Sequence, residues 1–308
     1  MPQQNKFDIS ICIATFKRPK ELNRLLEHLL PALEKCAVDK EVILIDNDAA
    51  QAAMPVFESW RSRIKNLTYY VEPVQSIALA RNLAVQKARG TWIAFIDDDE
   101  RPHENWLMVY WQEKDRWPAE AFLGPVLPVF ENVKDTWLDR DLFFNRKRHE
   151  TGTVLEPTQL RSGNIFLKRV LLQTHEFKQE YGLSGGEDFE CFYRMHRSGT
   201  VFISCDNAIV HEHVPPDRVR LRWLLKRAFA GGQTYTKIRS EVFPGFLQST
   251  KTLVKALAGI VVFGALLPFS MLAGFNVAAR ILIKATVQLG HIAGVSGSAY
   301  NFYRETAK

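Results

Sequence analysis

The feature that most constrains the fold is an apolar stretch that runs directly into four acids, at residues 91–100 (TWIAFIDDDE). Its short first half is rich in β-branched and aromatic residues, which predicts a buried strand. Ligands of α/β sheets bind in the crevice at the carboxyl ends of the strands, so the acids should lie there. In extended backbone Asp97 and Asp99 would point to the same side and repel each other. A divalent cation, Mn²⁺ or Mg²⁺, would compensate these charges. The alternative is an acidic turn exposed to solvent.

The first hundred residues alternate between strand and helix patterns. Apolar runs predict strands at residues 9–14, 41–45 and 67–71. Leucine or alanine repeats at helical spacing predict helices that begin at residues 21 and 77. Polar residues follow three of the strands: Thr15, Asp46 and Asp97. The carboxyl ends of parallel strands share one edge, so these residues predict a nucleotide site. No G-x-G-x-x-G follows the first strand, which argues against an ordinary dinucleotide-binding fold. Asp46 alone is also explained as a turn-forming residue.

Three further segments give local predictions. Residues 122–129 have a strand composition interrupted by prolines, which predicts an edge strand. Residues 131–158 lack clear periodicity and are predicted to form an acceptor-side loop. Residues 202–210 predict one strand that ends in His211, Glu212 and His213.

Charge and cysteine content narrow the class of partner. The 308 residues carry a net charge of +6, with basic runs at 140–149 and 218–227. Such runs bind phosphates or an anionic membrane surface, or form a solvated face. No helix-turn-helix, zinc-finger or RNA-binding signature is present, so no nucleic-acid partner is expected. Four cysteines without paired spacing indicate reduced thiols of the cytosol.

The C-terminal part contains an apolar segment, residues 256–275, that is twenty residues long and uncharged. This length suffices to cross the hydrocarbon core of a bilayer. An amphipathic stretch, residues 277–289, follows and carries Arg280 and Lys284. Because positive charge lies on both sides of the apolar segment, the preferred prediction is a helix pair that dips into or lies along the cytoplasmic leaflet. A true membrane span and a buried soluble helix hairpin are the alternatives.

Five motifs in order resemble those of family-2 glycosyltransferases with the GT-A fold, and the nearest likeness is to bacterial exopolysaccharide enzymes of the succinoglycan-pathway type. The motifs are residues 11–19 (ICIATFKRP), 45–47 (IDN), 80–82 (ARN), 97–99 (DDD) and 185–190 (GGEDFE). The resemblance covers residues 8 to 215. It implies an α/β, Rossmann-like GT-A fold with a mostly parallel central sheet flanked by helices, followed here by the C-terminal apolar helical, membrane-associating segment.

The resulting domain prediction has three parts. Residues 1–217 form the GT-A domain, with a nucleotide-sugar half at 8–100 and an acceptor half at 101–217. Residues 218–250 form basic amphipathic linker helices, and residues 251–308 form the membrane-associated helices.

The resemblance also implies roles for individual residues. Residues expected to bind the nucleotide sugar are Thr15, Arg18, Asp46, Asn47, Arg81, Asn82, Asp97 and Asp98. Those expected at the metal are Asp99, Asp97 and His211, although a structural histidine is an equal interpretation. Acceptor-side residues are Trp106, Arg222 and Trp223, with core packing as the alternative for Trp106. The family's first motif usually has Tyr where Phe16 stands, so a contact through a phenol hydroxyl is lost.

The catalytic prediction concerns a second pair of acids, Glu187 and Asp188, which a Gly-Gly loop delivers to a helix ending at Gly199. Acids in the first turn of a helix are favoured by its dipole alone. Direct displacement at a sugar anomeric carbon, however, needs a base for the acceptor hydroxyl proton. The resemblance makes Asp188 this base and Glu187 its neighbour in acceptor contact, with inversion of configuration.

The predicted function is therefore transfer from a nucleotide-sugar donor, most simply a UDP-sugar, to a lipid-linked or oligosaccharide acceptor at the cytoplasmic face of a bacterial inner membrane. Val219 occupies the first position of what would be the Q-x-x-R-W box of processive synthases, so addition of a single sugar is preferred. Two alternatives remain open: a Mg-dependent phosphotransferase with Asp97 as nucleophile, and a non-catalytic sugar-nucleotide-binding protein.

Overall fold

The computed structural model describes residues 7–130, 139, 143–242 and 245–296. These residues divide into two compact units. The first unit comprises residues up to 129 together with 146–182 and 187–213, and the second comprises 130–145, 183–186 and 214 onward.

The strands of the first unit are β1 (Phe7–Thr15), β2 (Lys40–Asp46), β3 (Leu67–Val71), β4 (Gly90–Phe95), β5 (Glu100–Pro102), β6 (Ala121–Leu123), β7 (Val126–Val129), β8 (Ile165–Lys168), β9 (Phe202–Ser204) and β10 (Val210–His213). Seven of them form one sheet in the order β3-β2-β1-β4-β8-β6-β9, and the other three form a second sheet in the order β5-β10-β7. Strands β3, β2, β1 and β4 are parallel. Strand β8 is antiparallel to both neighbours, and β6 and β9 are again parallel. The predicted mostly parallel sheet is confirmed.

Helices cover both faces of this sheet because side chains alternate along its strands. They are α1 (Pro19–Lys35), α2 (Met54–Trp60), α3 (Ile77–Lys87), α4 (Trp106–Glu113), α5 (Arg169–Thr174) and α6 (Glu187–Arg197). Ile11 of β1 packs in one core with the leucines of α1, whereas Cys12 packs in a second core with the alanines of α3. Helix α3 begins after Ser76, whose hydroxyl accepts from the Leu79 N–H at 3.3 Å, as an N-cap should.

Two strand predictions are wrong because turns divide the predicted runs. Residues 122–129 form β6, an interior strand of the main sheet, and β7, an edge strand of the small sheet; only β7 fits the predicted edge position. Residues 202–213 form β9 and β10, separated by a turn in which the Ala208 N–H donates to the Cys205 carbonyl at 3.0 Å. Each break moves the chain from one sheet to the other.

The second unit contains the helices α7 (Leu221–Val242), α8 (Phe246–Leu272) and α9 (Phe275–Val295). Helices α7 and α9 approach closely where Gly232 meets Gly290, since a Cβ on Gly290 would lie 2.2 Å from the Phe229 carbonyl oxygen. Helices α8 and α9 correspond to the predicted helix pair. Helix α8, however, starts before residue 256 and continues through Pro268. Among the described helices, the segment Ser249–Leu272 is long and apolar enough to cross a membrane, and only 6% of its most apolar window is buried.

Candidate active site

The acids after β4 form a turn rather than an extended strand. Strand β4 ends at Phe95, and the Glu100 N–H donates to the Asp97 carbonyl at 3.1 Å. The expectation that Asp97 and Asp99 share a side because the backbone is extended is therefore wrong. The turn instead distributes the carboxylates among different partners.

Asp98 and Asp99 are held by Thr15, the last residue of β1, and by Arg18, which directly precedes α1. The Thr15 hydroxyl donates to Asp98 at 2.7 Å. The Arg18 guanidinium donates to Asp98 at 3.1 Å and to Asp99 at 3.2 Å. Burial raises the pKa of Asp98 to about 7 against the opposing effect of Arg18. The structure thus places Thr15, Arg18, Asp98 and Asp99 together, as the sequence predicted.

Arg81, on α3, joins the two groups of acids. Its Nη2 donates to Asp97 at 3.1 Å, and its Nη1 forms a close ion pair with Glu187. Both Arg81 and Glu187 are almost fully buried, with 7% and 4% of their side chains exposed. Burial raises the pKa of Glu187 to about 7 in spite of Arg81. The expected contact of Glu187 with an acceptor is not what the structure shows, because this carboxylate is committed to Arg81 inside the protein.

Asp188, the next residue, is half-buried and faces a different partner. It accepts hydrogen bonds from the Ser162 N–H at 3.1 Å and from the Ser162 hydroxyl at 3.3 Å. Helix α6 begins directly after Gly185 and Gly186, whose φ angles of 80° and 90° favour glycine. The chain can therefore turn sharply into α6 and present Asp188 in its first turn.

Two acids to which the sequence analysis gave no role, Glu100 and Glu212, complete the cluster. Glu100 is buried and accepts from the Asp97 N–H at 3.0 Å. Glu212 on β10 adds its charge: desolvation raises the pKa of Glu100 well above its usual value, and Asp97 and Glu212 raise it further. Glu100 ends the acidic run at 97–100 and Glu212 lies between His211 and His213, but nothing local in the sequence indicated that the two acids lie together.

Of the carboxylates in this cluster that form ion pairs, Asp97 is the most exposed to solvent. The surrounding protein desolvates its carboxyl group and raises its pKa, and Asp99 and Glu212 raise it further against Arg81. Nevertheless 42% of its side chain stays exposed. We therefore regard Asp97 as crowded by protein on one side and accessible on the other.

Segment 161–164 lies against the acids. A Cβ on Gly163 would come within 2.6 Å of a Glu100 carboxylate oxygen and 3.0 Å of an Asp97 oxygen, so a larger residue there would displace these acids. Asn164 anchors the segment, with φ at 60° and hydrogen bonds from its amide to the carbonyls of Pro125 (2.8 Å) and Ala208 (2.7 Å). The family resemblance implies that residues 161–164 lie near the donor or the acceptor, but it does not indicate that they contact both groups of acids.

Trp106 belongs to the anchor of that segment. It is fully buried, and its indole N–H donates to the Asn164 side chain at 2.6 Å. The acceptor-side prediction for Trp106 is wrong because the indole is part of the core, and the alternative of core packing is confirmed.

His211 does not lie with the acids. Its pKa is lowered by burial and by His103, Arg101 and His28, so its neighbours are bases. Side chains alternate along β10, and Glu212 takes the side that faces the acids. The structure thus places bases beside His211, and its metal contact stays a prediction. His213 contributes a backbone N–H, which donates to the Asp99 carbonyl at 3.0 Å.

The remaining nucleotide-binding candidates hold the loops at the same sheet edge. Asp46 is paired in register with Thr15 and accepts from the Ala53 N–H and the Tyr69 hydroxyl, each at 2.8 Å. Asn47 donates to the carbonyls of residues 72 and 74, at 2.9 and 2.6 Å. Asn82 forms a reciprocal pair with the Phe177 backbone, at 2.8 and 2.9 Å. The turn-forming interpretation of Asp46 thus describes its contacts.

Two predictions fall elsewhere. Arg222 and Trp223 lie on α7 in the second unit, where the Trp223 ring is 5.2 Å from the Arg227 guanidinium. Much of the predicted loop 131–158, namely residues 131–138 and 140–142, lies outside the described residues.

The cluster has the donor chemistry of a divalent-cation site without a complete set of ligands. Asp97 and Asp99 provide carboxylate oxygens, the type that Mg²⁺ and Mn²⁺ prefer. Among the described residues, however, no group of three His, Cys, Asp or Glu side chains converges on one point. An ion here would need ligands from a substrate or water.

Comparison with known proteins gives consistent relatives. Residues 10–173 match the family model described as Glycosyl transferase family 2. The succinoglycan biosynthesis protein ExoM of Rhizobium meliloti (strain 1021) is 32% identical over 305 residues, which cover 96% of this chain and 95% of that protein. The chondroitin synthase of Escherichia coli is 25% identical over 248 residues, 68% of this chain but only 35% of that protein.

Solved structures with the same fold include TarS of S. aureus, residues 1-349. Its complex with UDP gives a TM-score of 0.53 at 16% identity, covering 95% of this chain and 93% of that one. Its complex with UDP-GlcNAc gives a TM-score of 0.53 at 17% identity with the same coverage. The predicted GT-A-like α/β fold is confirmed.

Proposed function

The chain belongs to glycosyl transferase family 2 and is a glycosyltransferase, and we propose that it moves a sugar from a UDP-sugar to a hydroxyl of a lipid-linked or oligosaccharide acceptor with inversion at the anomeric carbon. The relationship to a succinoglycan biosynthesis protein supports a role in exopolysaccharide assembly. The UDP and UDP-GlcNAc complexes of TarS support a uridine-linked donor.

The observation that carries the proposal is the position of Arg81 between Asp97 and Glu187. One guanidinium spans these two carboxylates, so the acidic turn after β4 and the first turn of α6 lie side by side. The proposed donor and acceptor steps each need a carboxylate. Asp97 and Glu187 are 90 residues apart in the chain, and the contact of both with Arg81 brings the two groups of acids together.

The donor is proposed to lie along the carboxyl ends of β1, β2 and β4. Thr15 and Asp46 are the last residues of β1 and β2, Asp97 follows β4, and Arg18 and Asp98 lie next to them in the chain. Asn47 and Asn82 position the loops through backbone hydrogen bonds rather than through free amide groups.

A divalent cation is proposed to bind at Asp99 and Asp97. Mg²⁺ usually takes one or two carboxylates together with substrate phosphates and water, which fits an incomplete protein ligand set. When bound, the ion would supply charge stabilisation to the diphosphate leaving group. Arg18 keeps Asp99 in place, and Arg81 does the same for Asp97.

Asp188 is proposed to be the general base. It is half-buried rather than sealed in the protein, and two hydrogen bonds from Ser162 fix its orientation. The attacking acceptor oxygen bonds to the anomeric carbon, the bond to the diphosphate oxygen breaks, and the hydroxyl proton moves to the Asp188 carboxylate. Glu187 acts through Arg81 as a positioning residue.

The test of donor and metal is nucleotide release from a panel of UDP-, GDP- and TDP-sugars, with Mn²⁺ or Mg²⁺ and then a chelator, and with membranes as the acceptor source. We expect release from a single donor, loss of release with chelator, and loss in Asp99→Ala. If no donor releases nucleotide in the presence of metal and membranes, the proposed reaction is wrong.

The test of the base is Asp188→Asn. The amide keeps the size of the side chain but takes no proton, so we expect turnover to fall by at least about a hundredfold while UDP binding, followed by calorimetry, stays the same. Asp115→Asn serves as the control because its carboxylate is 78% exposed at the surface. Unchanged turnover in Asp188→Asn would contradict the assignment of Asp188 as the general base.

The apolar helix α8 is proposed to hold the enzyme at the cytoplasmic face of a bacterial inner membrane. It is apolar and exposed, as Val261 and Phe269 show with 71% and 69% of their surface accessible. A lipid-linked acceptor presents its reactive end at the bilayer surface, where an enzyme held in this way would meet it.

A further inference from the structure

A second feature of the first unit is a pocket of about 230 Å³ whose lining includes three arginines and one lysine. Its walls come from the loops after β6 and β9 and from the residues before β8. Strands β6 and β9 run parallel to each other and opposite to β8, which in turn opposes β4. The pocket therefore lies at the same sheet edge as the acids, on the side away from β1 and β2.

Arg161 is the buried cation of this pocket. Its Nη2 donates to the Gly124 carbonyl at 3.1 Å, and its Nε is buried with no hydrogen-bond partner among the residues that the structure describes. Burial, and to a lesser degree the nearby Arg146, lowers the pKa of Arg161 to about 10 against the opposing effect of Glu100 and Glu212. A buried guanidinium with an unused donor is costly unless an anion binds to it.

The other lining charges leave the pocket positive. Arg148 is paired with Asp206 at 2.8 Å, which neutralises both. Arg146 reaches Glu212 only at 3.8 Å. Lys147 is exposed and forms no ion pair with any residue in the described ranges. Arg146, Lys147 and Arg161 thus exceed the acids that face them.

The pocket is connected to the proposed catalytic centre by the chain itself. Arg161 lines the pocket, the adjacent Ser162 holds Asp188, and Gly163 lies against Glu100 and Asp97. A ligand that contacts Arg161 would therefore lie next to the segment that orients the base. This places the pocket on the acceptor side of the acids.

We propose that the pocket binds a phosphoryl group of the acceptor, the group through which a saccharide is joined to its lipid. Guanidinium groups bind phosphate oxygens in pairs, and a lysine adds a point charge. The donor diphosphate is accounted for by the other half of the sheet edge. This inference rests on the proposed function, and it adds the chemical class of acceptor: one with a phosphoryl group near its reacting sugar.

The first experiment measures pyrophosphate binding to the full chain by calorimetry, without turnover. The double variant Arg146→Gln/Lys147→Gln removes two exposed charges, so it should fold, and we expect about tenfold weaker binding. Lys65→Gln is the matched control, because Lys65 is an exposed lysine outside the pocket, and its binding should equal that of the wild type. Equal binding by the double variant, or binding that UDP abolishes, would overturn the pocket as an anion site.

The second experiment distinguishes the acceptor from free phosphate. With a saccharide acceptor linked to an alkyl diphosphate, the double variant should raise the acceptor KM about tenfold and leave the donor KM unchanged. With the same saccharide as an alkyl glycoside, the double variant should match the wild type. Weaker pyrophosphate binding with an unchanged KM for the diphosphate acceptor would show a site for free phosphate only and would overturn the proposal. Failure of the glycosyl transfer itself would appear as absent nucleotide release in the wild type, whatever the binding result.

Discussion

At the scale of single residues, Arg81 is the centre of the site, because its guanidinium contacts both Asp97 and Glu187 while almost fully buried. The motif around Arg81 indicated a donor contact. It could not indicate an ion pair with Glu187, since the two residues are 106 positions apart and nothing local couples them. The tertiary fold alone brings them together.

This arrangement predicts the result of a double-mutant cycle. Arg81→Gln leaves two carboxylates without their cation, and breaking a buried pair costs about 3–5 kcal/mol. Glu187→Gln in the same chain removes one of the stranded charges, so the double variant should regain part of the lost free energy of unfolding. Thermal unfolding in detergent of the wild type, the two single variants and the double variant measures these changes in stability. A double variant less stable than Arg81→Gln would contradict the pairing.

The raised pKa of Glu187 predicts a pH dependence of stability. Its folded-state pKa of about 7 lies above its usual 4.5, so between these values the folded state holds more protons than the unfolded state. Stability must therefore fall as pH rises from about 4.5 to 7 and level off above. In Glu187→Gln this contribution is absent, and the difference in unfolding midpoint between wild type and variant should shift in favour of the variant over that window. A difference independent of pH would contradict it.

At the scale of elements, the local predictions succeeded where periodicity was strong. The strand at residues 91–95, the leucine face of α1 and the N-cap at Ser76 are confirmed. The predictions failed where a turn split an apolar run, as at β6 and β7, because a short turn leaves the composition of the run unchanged. The contacts of segment 161–164 were beyond prediction for a different reason: they join it to Trp106, Asp188 and Glu100, which lie on separate elements.

Gly163 tests the importance of that segment. In Gly163→Ala the new Cβ would press on Glu100 and Asp97 at 2.6 and 3.0 Å, and displacement of these acids should reduce turnover by about ten- to a hundredfold. Gly231→Ala is the control, because a Cβ there meets nothing within 4 Å and alanine favours a helix. Steady-state nucleotide release compares the two. Equal activity of both variants would show that the close approach at Gly163 does not matter.

At the scale of the whole molecule, composition and the position of the apolar segment predicted a helix pair after the α/β region, and the second unit contains it. The limits of the described units were beyond sequence reasoning, because residues 143–145 and 183–186 cluster with the C-terminal helices although residues 146–182 and 187–213 belong to the first unit. A segment that passes from one unit to the other and back does not differ in amino-acid composition from its neighbours in a way that would reveal this.

The exposed face of α8 predicts membrane binding by the intact chain. In Val261→Asp/Phe269→Asp two highly exposed apolar side chains, 71% and 69% accessible, become charged. We expect sedimentation with anionic liposomes to fall by at least about tenfold, because acids at an apolar membrane face are strongly disfavoured. Val170→Asp, at a position 53% accessible on α5, should sediment like the wild type. Equal sedimentation of all three proteins would remove α8 as the membrane-binding element.

The pairing of Leu123 with Ile165 across β6 and β8 has an evolutionary consequence. The chain leaves the sheet after one of these residues and returns at the other, next to its starting point. The segment between them, which carries β7, Arg161, Ser162 and Gly163, is a single insertion that a gene can exchange without altering the strand order of the seven-stranded sheet. If the proposed function holds, an enzyme lineage can keep its donor and change its acceptor by recombining this one continuous segment.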